Sequence, residues 1–254
     1  MAGEQATGNS IQSLERAFEI FRTLQEQQPL TLTELSHALD LPTSTAHVYL
    51  KTLEGGGFVV KEGRHYYNSL KFLEYGGHVR QRYELFHASR HVMTELALQT
   101  GERVGLGVEE NGKRVMIAIR DGKNAISDNV PVGESTEMHW TGLGKCILAN
   151  LPEERRDEII ESSELPRATP NTITDPTALR EELATIRDRG YAVENEERRK
   201  GIRGLDVPIL VSDGEVLGAI GLTAPVNRFD ASRISEYLEL LQDKANVIRL
   251  KTIY

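Results

Sequence analysis

The sequence predicts an α+β protein, with a small helical domain ending in a short β-ribbon and a linking helix that leads to a larger domain. That larger domain should be an antiparallel sheet flanked by helices. Three observations predict this. Apolar residues recur at helical spacing from Ile11 to Leu53 and stop at Gly55-Gly56-Gly57. Alternating apolar and polar runs then come in pairs around tight-turn dipeptides, at Asn111-Gly112 and again at Asp213-Gly214. Helical periods return between those pairs and after the last one. The expected organisation is a flexible tail over 1–10, a first domain over 11–75, a linker helix region over 76–100 and a second domain over 101–254.

Each element has a local cause. Ile11, Leu14, Phe18, Phe21 and Leu24 line one face of a first helix, which Pro29 ends. Thr31 and Glu34 form a T-x-x-E capping box ahead of Leu32, Leu35 and Leu39. After the short turn at Asp40-Leu41, Pro42 can occupy a first helical turn, and Ala46, Leu50 and Leu53 form the core face of a third helix. The three glycines hand over to Phe58-Val59-Val60-Lys61, a turn at Glu62-Gly63-Arg64-His65, and a returning strand from Tyr66-Tyr67. Helix, short helix, turn, helix and two-stranded ribbon is the order of a winged helix-turn-helix, a DNA-binding module.

Residues 78–99 read as a linking helix with Leu85, Val92 and Leu96 on one face, closed by Gly101. Strands over 103–109 and 114–120 flank Asn111-Gly112, with Asp121-Gly122 as another hairpin turn. Helices follow over 142–150, 152–162 and 178–189, the last burying Leu179, Leu183 and Ile186 before Gly190 stops it. A hairpin over 205–212 and 215–223 precedes a terminal helix that buries Ile234, Leu238, Leu241, Ala245 and Ile248.

Composition bounds the function. The 254 residues carry 30 Lys+Arg against 38 Asp+Glu, so 30 − 38 = −8, which excludes a globally basic nucleic-acid coat. Hydrophobic residues make up 39% and charged ones 27%, near globular averages, with mean hydropathy −0.38. The longest apolar runs, such as 207–211, fall far short of the ~18 residues of a membrane span, so no membrane partner is expected. The first ten residues lack the regions of a signal peptide, which fits a cytoplasmic protein. A single cysteine, Cys146, permits neither an intrachain disulfide nor a Cys-rich zinc site.

The third helix presents Thr43, Ser44, Thr45, His47, Val48 and Lys51 away from its core face. Hydroxyls and a helix start suit phosphate oxygens, while Val48 suits a thymine methyl. From Thr43 to Phe72 there are four Lys/Arg and two Glu, a local +2, so a merely solvated face stands beside the DNA reading on charge alone. Arg64 and His65 in the wing turn are further DNA candidates. Cys146, with His139 seven residues earlier, reads as a small buried hydrophobe in an apolar helical turn rather than as a nucleophile. His78, His87 and His91 read as a polar helix face rather than a metal site. The run Met138 to Lys145 is a Gly-containing loop entering a helix; it serves either as an anion-binding helix start or as close packing. No catalytic residue, metal or cofactor is expected. The rival is an enzyme of hydrolase or amidase type that uses Cys146 or Glu194 with an accessory N-terminal module, but it lacks an oriented base.

Four landmarks, in order, carry a resemblance that spans the chain from Ile11 onward: Leu41-Pro42-Thr43-Ser44-Thr45-Ala46-His47; His139-Trp140-Thr141-Gly142-Leu143-Gly144-Lys145; Gly190-Tyr191 through Glu196-Glu197 to Gly201-Ile202-Arg203; and Gly221-Leu222-Thr223-Ala224-Pro225 with Arg228-Phe229. Together they resemble the isocitrate lyase regulator (IclR) family of transcription factors. The resemblance implies a homodimer or homotetramer, a double-stranded palindromic DNA operator, and a GAF-like second domain that binds a small-molecule effector. It implies effector contacts at Trp140, Thr141, Gly142, Leu143, Glu194, Gly204, Gly221 and Thr223, with the Gly142 and Leu143 N–H groups on the effector's anion and Glu194 as an acceptor at the rim. The family often has Asp at the position of Glu194, Cys at Gly204 and Ser at Gly221, which points to a different or larger effector. Thr43 and Val48 stand where Lys and Arg are frequent, so the operator should differ as well.

Overall fold

The computed structural model describes residues 10–126, 130–211 and 214–253. The expected tail falls almost wholly outside them, as does Asp213 of the second hairpin turn. The chain divides between Val79 and Arg80 into two compact units.

In the first unit, α1 (Gln12–Gln27), α2 (Leu32–Ala38) and α3 (Thr43–Gly55) enclose a core of Ile20, Leu24, Leu35, Ala46 and Leu50. The Thr31–Glu34 capping box forms in full. Pro42 is the cap of α3 rather than a member of its first turn. Only the C-terminal half of the expected α1 stripe is buried. Ile11, Leu14 and Phe18 are exposed, because the core needs a helix face only two turns long. The wing has three strands instead of two. β1 (Leu30–Thr31) joins β2 (Val59–Glu62) and β3 (His65–Asn68) in the order β1-β3-β2, with Leu30 opposite Tyr66. Two residues are too short for any periodic signal.

The linking helix is two helices, α4 (Lys71–Gln81) and α5 (Glu84–Thr100), broken at Arg82-Tyr83. Phe72 and Tyr75 of α4 lie against Phe58 at centroid distances of 5.5 and 5.6 Å. α5 is no surface linker: Leu85, Phe86, Val92, Met93, Leu96 and Ala97 are core residues of the second unit. Its helical period was legible; which domain it packs into was not.

The second unit is a six-stranded antiparallel sheet, formed by β4 (Arg103–Glu110), β5 (Lys113–Asp121), β6 (Ser135–Glu137), β7 (Ala192–Asn195), β8 (Ile202–Leu210) and β9 (Val216–Pro225). Its strand order is β6-β5-β4-β9-β8-β7. α5 and α9 (Ala231–Ile253) cover one face, while α6 (Gly142–Asn150), α7 (Glu153–Ser162) and α8 (Pro176–Arg189) serve the other. Asp121-Gly122 is not a hairpin turn. Gly122 donates to Glu102 O, and a Cβ there would collide with the backbone of Gly101 and Ala97, so the chain leaves the sheet edge packed against α5's end.

Candidate functional site

The first candidate surface is the exposed side of α3. Thr43, Ser44, His47, Val48 and Lys51 are exposed and Thr45 is half-buried, opposite Ala46 and Leu50. Thr43 Oγ1 lies 3.2 Å from Ser36 Oγ, which itself donates to Leu41 O at 2.6 Å, so two hydroxyls fasten the turn between α2 and α3. Pro42 offers α3 no side-chain cap bond, which leaves the first-turn N–H groups open at the positive end of the helix. In the wing, Glu62 pairs with His65 across a two-residue turn in which Gly63 takes φ +62°, and Arg64 and His65 are exposed at its tip.

The second candidate is a cavity between the sheet and the start of α6, and strand register explains its composition. Glu194 pairs with Gly204, Gly204 with Thr223 and Thr223 with Arg103. Two residues along, Ala192 pairs with Asp206, Asp206 with Gly221 and Gly221 with Gly105. Direct cross-strand partners share a face, and residues two apart on a strand share it too. Both rows therefore face α6. Thr141, Gly142, Leu143, Glu194, Gly204 and Thr223 line a cavity of about 50 Å³ together with Arg114, Asp206 and Met116. Trp140 does not join them; its indole Nε1 donates to Pro166 O at 2.7 Å. Gly221 stands behind Asp206.

Of the charged residues that line the cavity, Glu194, Asp206 and Arg114 are buried, while Arg103 and Arg198 are half-buried and Arg199 is exposed. Glu194 is 6% exposed rather than at a rim, and its Oε1 accepts the Glu197 N–H at 2.6 Å and the Arg198 N–H at 3.2 Å. Burial pushes its pKa up to about 7 despite those two donors. Lys145, buried on α6, donates to both carboxylate oxygens of Glu197 at 2.6 and 2.8 Å and so anchors the turn that follows β7. Asp206 is 4% exposed, and burial, then the neighbouring Glu194 charge, drive its pKa well upward. Arg114 is 1% exposed; burial lowers its pKa, while Glu134, bonded to Nη2 at 3.2 Å, opposes that shift. Cys146 is fully buried and its Sγ donates to the Asp206 backbone oxygen at 3.2 Å. Burial raises its pKa well above the ordinary value, which suits an inert thiol.

Two family models match the chain: the IclR helix-turn-helix domain over residues 13–63 and the bacterial transcriptional regulator IclR C-terminal domain over residues 77–250. A probable HTH-type transcriptional regulator, ArcR of Halobacterium salinarum, is 33% identical over 95% of this chain and 94% of its own length. The crystal structure of Thermotoga maritima IclR superposes with a TM-score of 0.79 at 32% identity, covering 96% of this chain and 99% of that one. The chain belongs to the IclR family. An IclR homologue from Microbacterium hydrocarbonoxydans, complexed with 4-hydroxybenzoate, shares the fold at a TM-score of 0.79 and 24% identity, over 94% of this chain and 98% of that one. This IclR-family protein is therefore a transcriptional regulator with a helix-turn-helix DNA-binding domain. Its relatives are named as regulators or repressors rather than enzymes. Among the described residues no helix is long and apolar enough to cross a membrane.

Sequence reading missed ten of the sixteen lining residues, among them the charged Arg103, Arg114, Arg198, Arg199 and Asp206. The available signal was a carboxylate inside the apolar run Leu205-Asp206-Val207, at an inward strand position. Asp206 bears on the expectation of a different or larger effector. A Cβ on Gly142 or Gly221 would overlap its carboxylate, and one on Gly204 would lie 2.9 Å from Oδ2. The room those glycines leave is filled by Asp206, not by ligand space.

Proposed function

We propose that this regulator is a homodimer or homotetramer acting in the cytoplasm. It reads a double-stranded operator with Thr43, Ser44, Thr45, His47, Val48 and Lys51 of α3 and with Arg64 and His65 of the wing. A small acidic metabolite, a sugar acid, hydroxy acid or aromatic acid, occupies the cavity beside α6 and sets operator affinity, controlling a catabolic operon. The observation that carries this reading is the register of β7, β8 and β9, which gathers Glu194, Gly204 and Thr223 around one enclosed space with the start of α6. The exposed Ile11, at the cap of α1, and Leu14 and Phe18 on that helix form an apolar stripe of the kind a second copy covers.

Footprinting on the DNA upstream of its own gene, with a panel of hydroxy, sugar and aromatic acids, tests the reading. Thr223→Val should weaken effector-dependent release by about 1–3 kcal/mol, the cost of leaving a buried polar partner unmatched, and should leave effector-free DNA binding unchanged. If Thr223 is only a β-branched strand residue, Val fits as well. Identical dose-response curves would remove Thr223 from the effector site.

A further inference from the structure

We infer that Arg114 of β5 is the anion anchor of the cavity and holds the carboxylate of a short-chain acid. The carboxyl group of Asp206 fills the place at the start of α6 to which the family resemblance assigns the effector's anion. This inference rests on reading the cavity as the effector site, and it names the residue there that selects an acid over a neutral molecule of the same shape.

Arg114 is built into the cavity wall with donors to spare. It stands two residues before Met116 on β5, so both side chains face α6. Its stem runs past Gly107 of β4, where a Cβ would lie 2.9 Å from the Arg114 Cδ. The residue is 1% exposed, and among the described residues its Nε and Nη1 have no hydrogen-bond partner. The one hydrogen bond of its side chain runs from Nη2 to Glu134 Oε2 at 3.2 Å, and the other oxygen of that carboxylate accepts from Arg198 at 2.7 Å. One carboxylate thus serves two guanidinium groups. Of the other arginines lining the cavity, Arg103 donates to Asp121, Arg198 is half-buried and Arg199 is exposed, which leaves Arg114 as the buried one. Arginine keeps its charge when buried, and a carboxylate oxygen is the acceptor that best answers its free donors.

The other place for the anion is already taken. The Asp206 carboxyl lies against Gly142, the first residue of α6, and against Gly221, so closely that neither could carry a side chain. An effector's carboxylate therefore has no room at that helix start. Burial drives Asp206 toward its neutral form and lifts Glu194 to about 7, so the effector's anion meets an O–H donor at Asp206 instead of a like charge. With Asp206 neutral, the Arg114 guanidinium sets the sign of the buried wall, and that sign calls for an acid. At about 50 Å³ the cavity has room for roughly three to five water-sized groups, which fits a chain of about three carbons.

The test is calorimetry on the full chain with propionate, L-lactate and propionamide; the amide copies the shape of propionate and lacks its charge. The wild type should bind at least one acid, about tenfold or more tighter than the amide, as a charge-assisted hydrogen bond predicts. Arg114→Met should erase that preference by weakening the acid and leaving the amide unchanged, a selective loss that a merely structural role would not produce. Arg114→Lys should restore part of it. Asp206→Asn, which keeps the volume, should hold acid affinity within about threefold of the wild type. An acid preference that survives Arg114→Met would overturn the inference, because the anion would then lie elsewhere, and so would loss of acid binding in Asp206→Asn. Propionamide binding the wild type as tightly as propionate would also overturn it, as would no binding of either acid at millimolar concentration. Arg114→Gln, neutral but still polar, makes the same test if the Met variant fails to fold. Operator release separates this from the regulatory reading. Arg114-dependent acid binding with no acid releasing DNA sinks the regulation and keeps the anchor. Release by an acid that ignores Arg114→Met does the reverse.

Discussion

α3 and α6 both begin at turns that leave N–H groups directed at a prospective partner, and there the likeness ends. α3 starts at Pro42, in water, with Ser44, His47 and Lys51 exposed around it. α6 starts at Thr141, whose hydroxyl accepts the Gly144 N–H, and its first residues are buried against Asp206. A helix start in solvent offers a weak, screened attraction that many side chains must supplement. One in a dry cavity offers a strong attraction that a single misplaced charge can reverse. The first should answer to salt and to the number of contacts, the second to protons and to the identity of one residue.

Removing contacts from the exposed side should give the largest effect. If α3 is the reader, replacing Ser44, Thr45 and His47 together by Ala removes three contacts worth about 1–3 kcal/mol each, a loss on the order of a hundredfold or more in operator affinity. Thermal unfolding should change little, since Ser44 and His47 contribute no core surface. A triple variant that still shifts the operator at wild-type concentration would show that α3 is not the reading element.

The buried side should answer to pH. Glu194 holds its proton to about 7 in the folded protein against an ordinary 4.5, so the native state keeps a proton that the unfolded chain has lost in that window. Its stabilising contribution is complete below pH 4.5 and is lost as pH rises through 7, about 3 kcal/mol in all. Glu194→Gln keeps an oxygen for the Glu197 and Arg198 N–H groups and removes that slope. Denaturant unfolding of both proteins between pH 4.5 and 7.5 checks it: parallel curves would mean that Glu194 is not the group titrating. Asp206, also raised, leaves its own slope in both.

What could be read from the sequence follows the same division. The first unit is specified locally: the Thr31–Glu34 box, the stop at Gly55-Gly56-Gly57 and the turn at Gly63-Arg64 each act within a few residues. Its misreading was long-range, the exposed half of α1. In the second unit the helices over 142–150 and 178–189 were legible from period and caps, while the four-residue β7 was not, being defined by its partner β8. The resemblance named Gly142, Glu194, Gly204 and Thr223, and the fold does gather them. Arg114 lies 92 residues before Asp206 (206 − 114), and no local pattern announces that such residues will share a cavity.

The smallest expected effect belongs to the wing and bears on the exposed half of the comparison. Arg64 sits at the turn between β2 and β3, where a long cationic side chain on a two-residue loop can reach a phosphate without ordering anything else. If it neutralises one phosphate, Arg64→Ala should lower the slope of log affinity against log salt by roughly 1 and weaken binding to all sequences about equally. A base-reading Arg64 would instead relax discrimination at one operator position and alter the slope less. Gly63, at φ +62°, keeps the turn closed in either case, so the variant should leave the wing's strand pairing intact. Titrating wild type and Arg64→Ala against operator and scrambled DNA over a range of salt separates these outcomes. An unchanged slope on both DNAs would take Arg64 out of the interface and leave the exposed surface to α3 alone.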